Sequence, residues 1–264
     1  MRKSRIKSNS MGILVVVFGV KGGLSDVGKY AVKHALRHNG DWTVRLIALS
    51  GGQAEGYETL ATVDPGKDTG PAIKRDQREL KDIITAAEVL KIDIKASTAQ
   101  QQLEDAFQQA DVVVSAIGSR ENSLPRYLNL GVSKITQTMK AKNVPRLIQL
   151  SSMGIGEDFV PIQVIRVFWA VLLRTFFRTV HKDLKAMEAT VHASDVDFVL
   201  VRPAGIPPDS PPKGTWQLLK SKEDRKPVGF VISKSDVALF MIEEAIHPTL
   251  HKTAVTIAPK ERKR

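Results

Sequence analysis

The residues best suited to chemistry begin with a glycine cluster. Gly19, Lys21, Gly22, Gly23, Ser25, Val27 and Gly28 fall between an unbroken apolar run and a helical pattern. A turn of this composition gathers free backbone N–H groups and the positive end of a helix dipole at one point, which suits a pyrophosphate. Glycine is needed there because the turn requires positive φ and because a side chain would hold the phosphate away. Lys21 can reach a ribose 2′-phosphate, which tilts the expected cofactor toward NADP and leaves NAD open. The competing reading is a glycine-rich turn that holds no ligand.

The elements that would position this turn follow the chain in order. Residues 13–18 are apolar throughout, the mark of a strand buried on both faces. Val27, Ala31 and Ala35, with Val32 and Leu36 beside them, give the next segment one apolar helical face. Residues 43–49 read as a second strand. In a dinucleotide-binding scheme the residue at its end meets the adenosine ribose. Ser50 is neither the acid of NAD sites nor the arginine of NADP sites, so this position does not choose.

Residues 89–94 form the expected third strand. Thr98 is the expected cap of a helix carrying Leu103, Ala106 and Phe107 inward. Residues 111–118 form a fourth strand closed by glycine, Val132, Ile135 and Met139 mark another helix, and residues 145–150 lead into Ser151 and Ser152. Strands alternating with helices imply α/β architecture: a Rossmann-type doubly wound parallel sheet in a single domain over residues 12–258. Residues 51–86 hold glycines, prolines and a charged helical stretch, and read as an insertion.

Composition narrows the class. The chain has 264 residues and no cysteine, which excludes a disulfide framework and a thiolate metal site. Net charge is +11, but four basic groups lie in the first ten residues and a net +3 in the last five. Basicity therefore concentrates in two tails, residues 1–11 and 259–264, read as solvated ends. No aromatic residue interleaves with the basic tail residues, which tells against nucleic acid as a partner. The basic start has no apolar run, so it does not read as a secretory signal; the expected location is the cytoplasm, with an organelle left open.

The ordered motifs resemble those of the atypical short-chain dehydrogenase/reductase family, in the NAD(P)H-binding NmrA-like branch that includes biliverdin reductase B-type flavin reductases. The turn itself resembles the family in two registers. Residues 21–28 are similar to T-G-x-x-x-G-x-G, with Lys21 for the threonine and Asp26 for the middle glycine. Residues 18–22 are similar to F-G-A-T-G, with extra residues before Gly28. The resemblance continues through residues 92–94, 115–118 and 150–154, then Glu188 with Ser194, residues 199–203 and residues 232–238. It implies that Gly19, Gly22 and Gly28 surround the pyrophosphate and that Asp93 and Ile94 contact adenine. It further implies that Ala116, Ile117 and Gly118 line the cofactor ribose, and that Pro203 approaches the nicotinamide carboxamide. Ser151 and Ser152 end the strand that carries the catalytic serine in related enzymes, and Ser152 is the better match.

Short-chain dehydrogenases pair Tyr and Lys in Y-x-x-x-K, where one-turn spacing lets the ammonium lower the tyrosine pKa and hold the ribose. Here His181 and Lys185 have that spacing and tyrosine is absent. Counted back from Glu188, Leu184 stands where the atypical branch commonly has Lys or His. One reading makes His181 a proton donor with Lys185 orienting the cofactor; the other makes both polar surface residues. Flavin or biliverdin reduction tolerates the loss, because hydride passes directly to a stacked acceptor and water supplies the proton.

Residues 159–180 carry Val164, Ile165, Phe168, Trp169, Leu172, Leu173, Phe176 and Phe177 at helical spacing, with Arg166, Arg174 and Arg178 on another face. Only seven residues separate the first two arginines, too few to span a bilayer. A lid over an acceptor pocket, a homodimer face and an interfacial membrane helix remain as readings. The prolines of residues 207–212, with Trp216 nearby, are the expected opposite wall. His34 and His38 share a face of the outer first helix, and His247 and His251 are four apart, but no carboxylate completes a ligand set, so no metal is expected.

Together these readings imply an NAD(P)H-dependent oxidoreductase that passes hydride to a small planar or carbonyl acceptor such as a flavin or quinone. The alternative is a dinucleotide-binding redox sensor or assembly factor that turns nothing over.

Overall fold

Leu14 and Val16 face one side of a central sheet and Val15 and Val17 the other, and all four are buried. The apolar run is therefore a strand with protein on both faces. The computed structural model describes residues 12–19, 26–38, 42–50, 89–118, 127–155, 178–207, 210–220, 229 and 231–260. The expected insertion at 51–86, the glycine-rich stretch from 20 to 25, and 159–177 of the apolar segment lie outside them, as do most of the two tails.

Eight strands make one sheet: β1 (Gly12–Gly19), β2 (Trp42–Ser50), β3 (Val89–Asp93), β4 (Val112–Ala116), β5 (Arg146–Leu150), β6 (Asp197–Pro203), β7 (Gln217–Leu219) and β8 (Thr253–Ala258). Their order is β3-β2-β1-β4-β5-β6-β8-β7, parallel throughout except that β7 runs antiparallel to β8 at one edge. Five helices are described: α1 (Asp26–Leu36), α2 (Ala99–Ala106), α3 (Tyr127–Lys142), α4 (Arg178–His192) and α5 (Lys234–Ile246). The cores on the two faces divide them. α1 and α5 pack on Leu14, Val16 and Ile148, while α2, α3 and α4 pack on Val15, Val17 and Leu147. This is the single Rossmann-type α/β domain that the alternating pattern implies.

Helix ends show how the chain fixes this packing. α3 begins with Leu128 and Asn129 N–H groups donating to the Asp183 carboxylate at 2.8 and 3.2 Å. That carboxylate comes from α4, on the same stripe as buried Met187 and Val191, so one helix caps its neighbour and meets the positive end of its dipole. Thr190 Oγ1 also donates to Asn129 Oδ1 at 2.7 Å. In α5, Ser233 accepts from the Asp236 N–H, and the Asp236 carboxylate accepts from the Lys213 and Gly214 N–H groups. The loop before β7 is thereby pinned to α5, and Trp216 stacks edge-on against Phe240. Trp216 thus packs on the core at this point.

Two expectations change. Thr98 makes no side-chain cap: it is already in the helical region at φ −81°, ψ −9°, because the turns before it start the helical path early. His34 does not face outward. α5 packs on α1, leaving His34 4% exposed, with Nε2 3.0 Å from Ser235 Oγ and Nδ1 facing Arg37 Nη1 at 3.4 Å. Arginine only donates, so Nδ1 accepts and Nε2 carries the proton given to Ser235. Burial, with Arg37 and Lys33 adding to it, lowers the His34 pKa to about 3. The imidazole is therefore a neutral hydrogen-bonding group. Among the described residues no three His, Cys, Asp or Glu side chains gather as metal ligands, and no helix is long and apolar enough to cross a membrane.

Both features give measurable outcomes. Asp183→Asn keeps the shape but removes the charge at the α3 terminus, and should cost about 1–2 kcal/mol, read as a lower urea midpoint at unchanged slope. For His34, the unfolded chain binds a proton near pH 6.5 that the folded chain refuses until about pH 3. Stability is therefore complete above the unfolded value and falls as pH drops through that window, by up to about 5 kcal/mol. His34→Gln should flatten this part of the stability–pH curve; an unchanged acid limb would show that other groups control it.

Candidate functional site

Strand register sets the site. Gly19 pairs with Leu49, Phe18 with Ala116, Ser50 with Asp93, and Leu150 with Val201. Because these strands are parallel, their last residues form one row along the carboxyl edge. β1 hands the chain to α1 on one face, whereas β4 hands it to α3 on the other. The edge between β1 and β4 is therefore a topological switch point, where open α/β sheets bind ligands. Gly19 and the segment Ala116, Ile117 and Gly118 flank that crevice.

The residues present fit a dinucleotide there. Gly19 offers backbone without a side chain at the end of β1. α1 starts at Asp26, and Gly28 is buried in its first turn. Val27 belongs to the core, so its contribution at this point is its backbone. Lys21, Gly22, Gly23 and Ser25 lie outside the described residues. Ser50 ends β2, where its neighbour Leu49 accepts a hydrogen bond from Tyr127 Oη at 2.8 Å.

At β3 the Asp93 carboxylate accepts from the Lys95 N–H at 2.9 Å, while the Ile94 side chain is buried in the core. Ile117 is likewise buried, and α3 comes so close that a Cβ on Gly131 would stand 3.0 Å from its Cδ1. A helix lying this low explains a glycine in mid-helix at a site that positive φ does not require.

The end of β5 separates two adjacent serines. Ser151 Oγ donates to Glu188 Oε1 at 2.5 Å. Arg202 binds the same carboxylate twice, Nε to Oε1 at 2.9 Å and Nη2 to Oε2 at 2.6 Å. Ser151, Glu188 and Arg202 are all buried. Ser152 is half-buried, and among the described residues its hydroxyl makes a single contact, 3.4 Å from the Met153 carbonyl. Of the two, Ser152 is the hydroxyl presented at the edge.

α4 crosses back from β5 to β6, and at its far end His192 stacks edge-on against Phe198 near the start of β6. Its first turn therefore projects past the carboxyl edge. His181 lies two turns before Glu188, about 10 Å further along the helix axis. It is half-buried on the flank of the helix that carries Glu188, whereas Lys185 is exposed. Leu184 packs against the core. Pro203 ends β6, and its carbonyl accepts from the Met153 N–H at 3.2 Å.

Sequence reasoning used Glu188 and Arg202 only as landmarks. The signal that could have found them is a glutamate on a helix stripe otherwise filled by Met187 and Val191, opposite an arginine within an apolar strand. Deeper on the same face, Ser115 and Gln149 pair in register on β4 and β5 and are fully buried. Among the described residues neither Ser115 Oγ nor Gln149 Oε1 has a hydrogen-bond partner.

A doubly wound parallel sheet with a glycine-ended first strand at its switch point defines a Rossmann-type dinucleotide-binding protein. Residues 63–248 match the NAD(P)H-binding family model. The chain therefore belongs to that NAD(P)H-binding family.

Among sequence relatives, the Saccharomyces cerevisiae protein UPF0659 protein YMR090W is 25% identical over 161 residues, 58% of this chain and 64% of that one. The chain thus spans under two thirds of that relative's length. The fold is shared with a short-chain dehydrogenase/reductase from Veillonella parvula in complex with NADP, at TM-score 0.63 and 13% identity, covering 95% of each chain. It is also shared with ChuY, an anaerobilin reductase from Escherichia coli O157:H7, at TM-score 0.60 and 16% identity, covering 96% of this chain and 99% of that one.

The serines differ enough to be told apart by stability. Ser151→Ala removes a buried donor to a carboxylate and should cost about 1–2 kcal/mol. Ser115→Ala removes a hydroxyl that has no partner among the described residues and should be neutral or stabilising by up to about 1 kcal/mol. Thermal melting of the two variants side by side checks the contrast.

Proposed function

We propose that the chain is an NAD(P)H-dependent reductase that transfers hydride to a small planar or carbonyl acceptor, such as a flavin or quinone, with NADP the preferred coenzyme. The observation that carries this reading is the separation of the two serines: Glu188 holds Ser151, and Ser152 is offered at the carboxyl edge. When bound, the dinucleotide supplies the hydride. The chain's own work is to hold and orient it. Gly19 and the first turn of α1 would grip the pyrophosphate, Asp93 and Ile94 would border the adenine, and residues 116–118 would border a ribose. Ser152 would polarise the acceptor by donating a hydrogen bond to the atom that gains charge.

In the assignment of His181 as proton donor and Lys185 as ribose partner, two groups on one helix flank serve the nicotinamide half. A flavin or quinone needs less from them, since water can protonate the reduced acceptor. The shared fold with ChuY, an anaerobilin reductase, and with a short-chain dehydrogenase/reductase in complex with NADP supports a planar acceptor and NADP.

A second reading is favoured by a specific departure. The Y-x-x-x-K tyrosine position holds His181, and Leu184 packs against the core where the atypical branch has a base. A chain of this kind can bind the dinucleotide as an NmrA-like redox sensor without turning it over.

The test is coenzyme oxidation with flavin mononucleotide and a quinone as acceptors, alongside calorimetric binding of NADPH and NADH. Turnover with tighter NADPH binding is expected. Binding without turnover on a broad acceptor panel would leave the sensor. Ser152→Ala should slow turnover by more than about tenfold; an unchanged rate removes this hydroxyl from the mechanism.

A further inference from the structure

We infer that Glu188 is a positioning residue for the nicotinamide half of the site, acting through Ser151 and Arg202 on the ends of β5 and β6. The inference rests on the reading above, that Ser152 and Pro203 face that half.

The geometry is specific. Both Glu188 carboxylate oxygens are engaged: Oε1 accepts from Ser151 and from Arg202 Nε, and Oε2 accepts from Arg202 Nη2. Glu188 is 5% exposed and Arg202 8%, so both charges are largely withdrawn from water. Each residue held by the carboxylate immediately precedes the residue at its strand end that the reading assigns to the site, Ser151 before half-buried Ser152 and Arg202 before buried Pro203. The backbone continues the same clamp, with Ser151 N–H donating to the Val201 carbonyl at 2.7 Å and Met153 N–H to the Pro203 carbonyl at 3.2 Å. One side chain on α4 therefore fixes the relative placement of both strand ends.

Stability alone is a poor reason for such a trio, because well-packed apolar side chains hold strands together as well as a buried ion pair does. What the ion pair adds is direction. A bidentate guanidinium–carboxylate contact defines both a distance and a plane.

The opposite edge supplies an internal comparison. There Arg146 at the start of β5 binds Asp197 at the start of β6 and Glu244 of α5. The same two strands are clamped at both ends by a buried arginine, but only the Arg202 end borders the site. A variant at each end separates positioning from stability.

The experiment compares Glu188→Gln with Asp197→Asn in the full chain. Each is titrated with NADPH and with 2′-phospho-ADP-ribose, which lacks the nicotinamide. The emission shift of bound dihydronicotinamide is recorded for each, together with the melting temperature.

In Glu188→Gln the NADPH affinity should fall at least about fivefold and the emission shift should be lost, with 2′-phospho-ADP-ribose affinity within about twofold of wild type. Asp197→Asn should lose melting temperature and keep both affinities and the emission shift. Wild-type emission and affinity in Glu188→Gln overturn the inference. So does an equal loss of both ligands there, or the same NADPH-selective loss in Asp197→Asn.

If Glu188→Gln does not fold, Ser151→Ala breaks one arm and leaves the Glu188–Arg202 pair. It should show the same selective loss in smaller measure, and no loss overturns the inference. Failure of the wild type to bind NADPH would sink the functional reading and this inference together. Wild-type binding with an unaffected Glu188→Gln sinks only the inference.

Discussion

β1 pairs in parallel with β2 on one side and β4 on the other, and both of its faces are covered by protein. This double burial is the constraint from which the rest follows. Parallel neighbours cannot be joined by tight turns, so each needs a crossover. A strand that is apolar on both faces needs helices above and below the sheet. Helices leaving β1 and β4 toward opposite faces open the crevice between them, with the carboxyl ends of the seven parallel strands at one edge. A binding edge is thus a by-product of burying residues 14–17.

How much of this could be read from sequence depends on where each signal resides. The runs of β1 and β4 and the apolar stripe of α1 are local, and they led directly to the fold. So did the helix containing Val132, Ile135 and Met139, all buried. Features made by two distant segments were not legible. Asp183 looks like one more polar residue on a helix until α3 presents free N–H groups to it. Glu188 looks like a family landmark until Ser151 and Arg202, from two strands, meet on its carboxylate. His34 sits among Lys33, Arg37 and His38 and reads as surface, because nothing local announces that α5 will cover it. Thr98 failed the other way: its residue type suits a cap, but the preceding turns had already set its backbone.

The buried charges share one logic. Arg146, with Asp197 and Glu244, ties β5, β6 and α5 at the amino edge, and the Leu250 N–H adds a further bond to Glu244. At Asp197, partial burial pushes the carboxyl up, but His251, the Lys252 N–H and Arg146 together hold it below the usual carboxylate range. Glu188 and Arg202 do the corresponding work at the carboxyl edge. Each arrangement spans elements far apart in the chain, and each costs desolvation that its hydrogen bonds must offset. The two buried arginines therefore sit where strand alignment matters, at the two ends of β5 and β6, while the strands between them are mostly aliphatic.

The Asp183 cap carries a consequence for how the protein breathes. A carboxylate on α4 completes the first turn of α3, so fraying of either helix strips a partner from the other. Their amide hydrogens are then expected to exchange with solvent as one cooperative block. Residues 127–142 and 178–192 come from separate stretches of sequence and are expected to open as a single unit, tied by Asp183 and by the Thr190–Asn129 hydrogen bond.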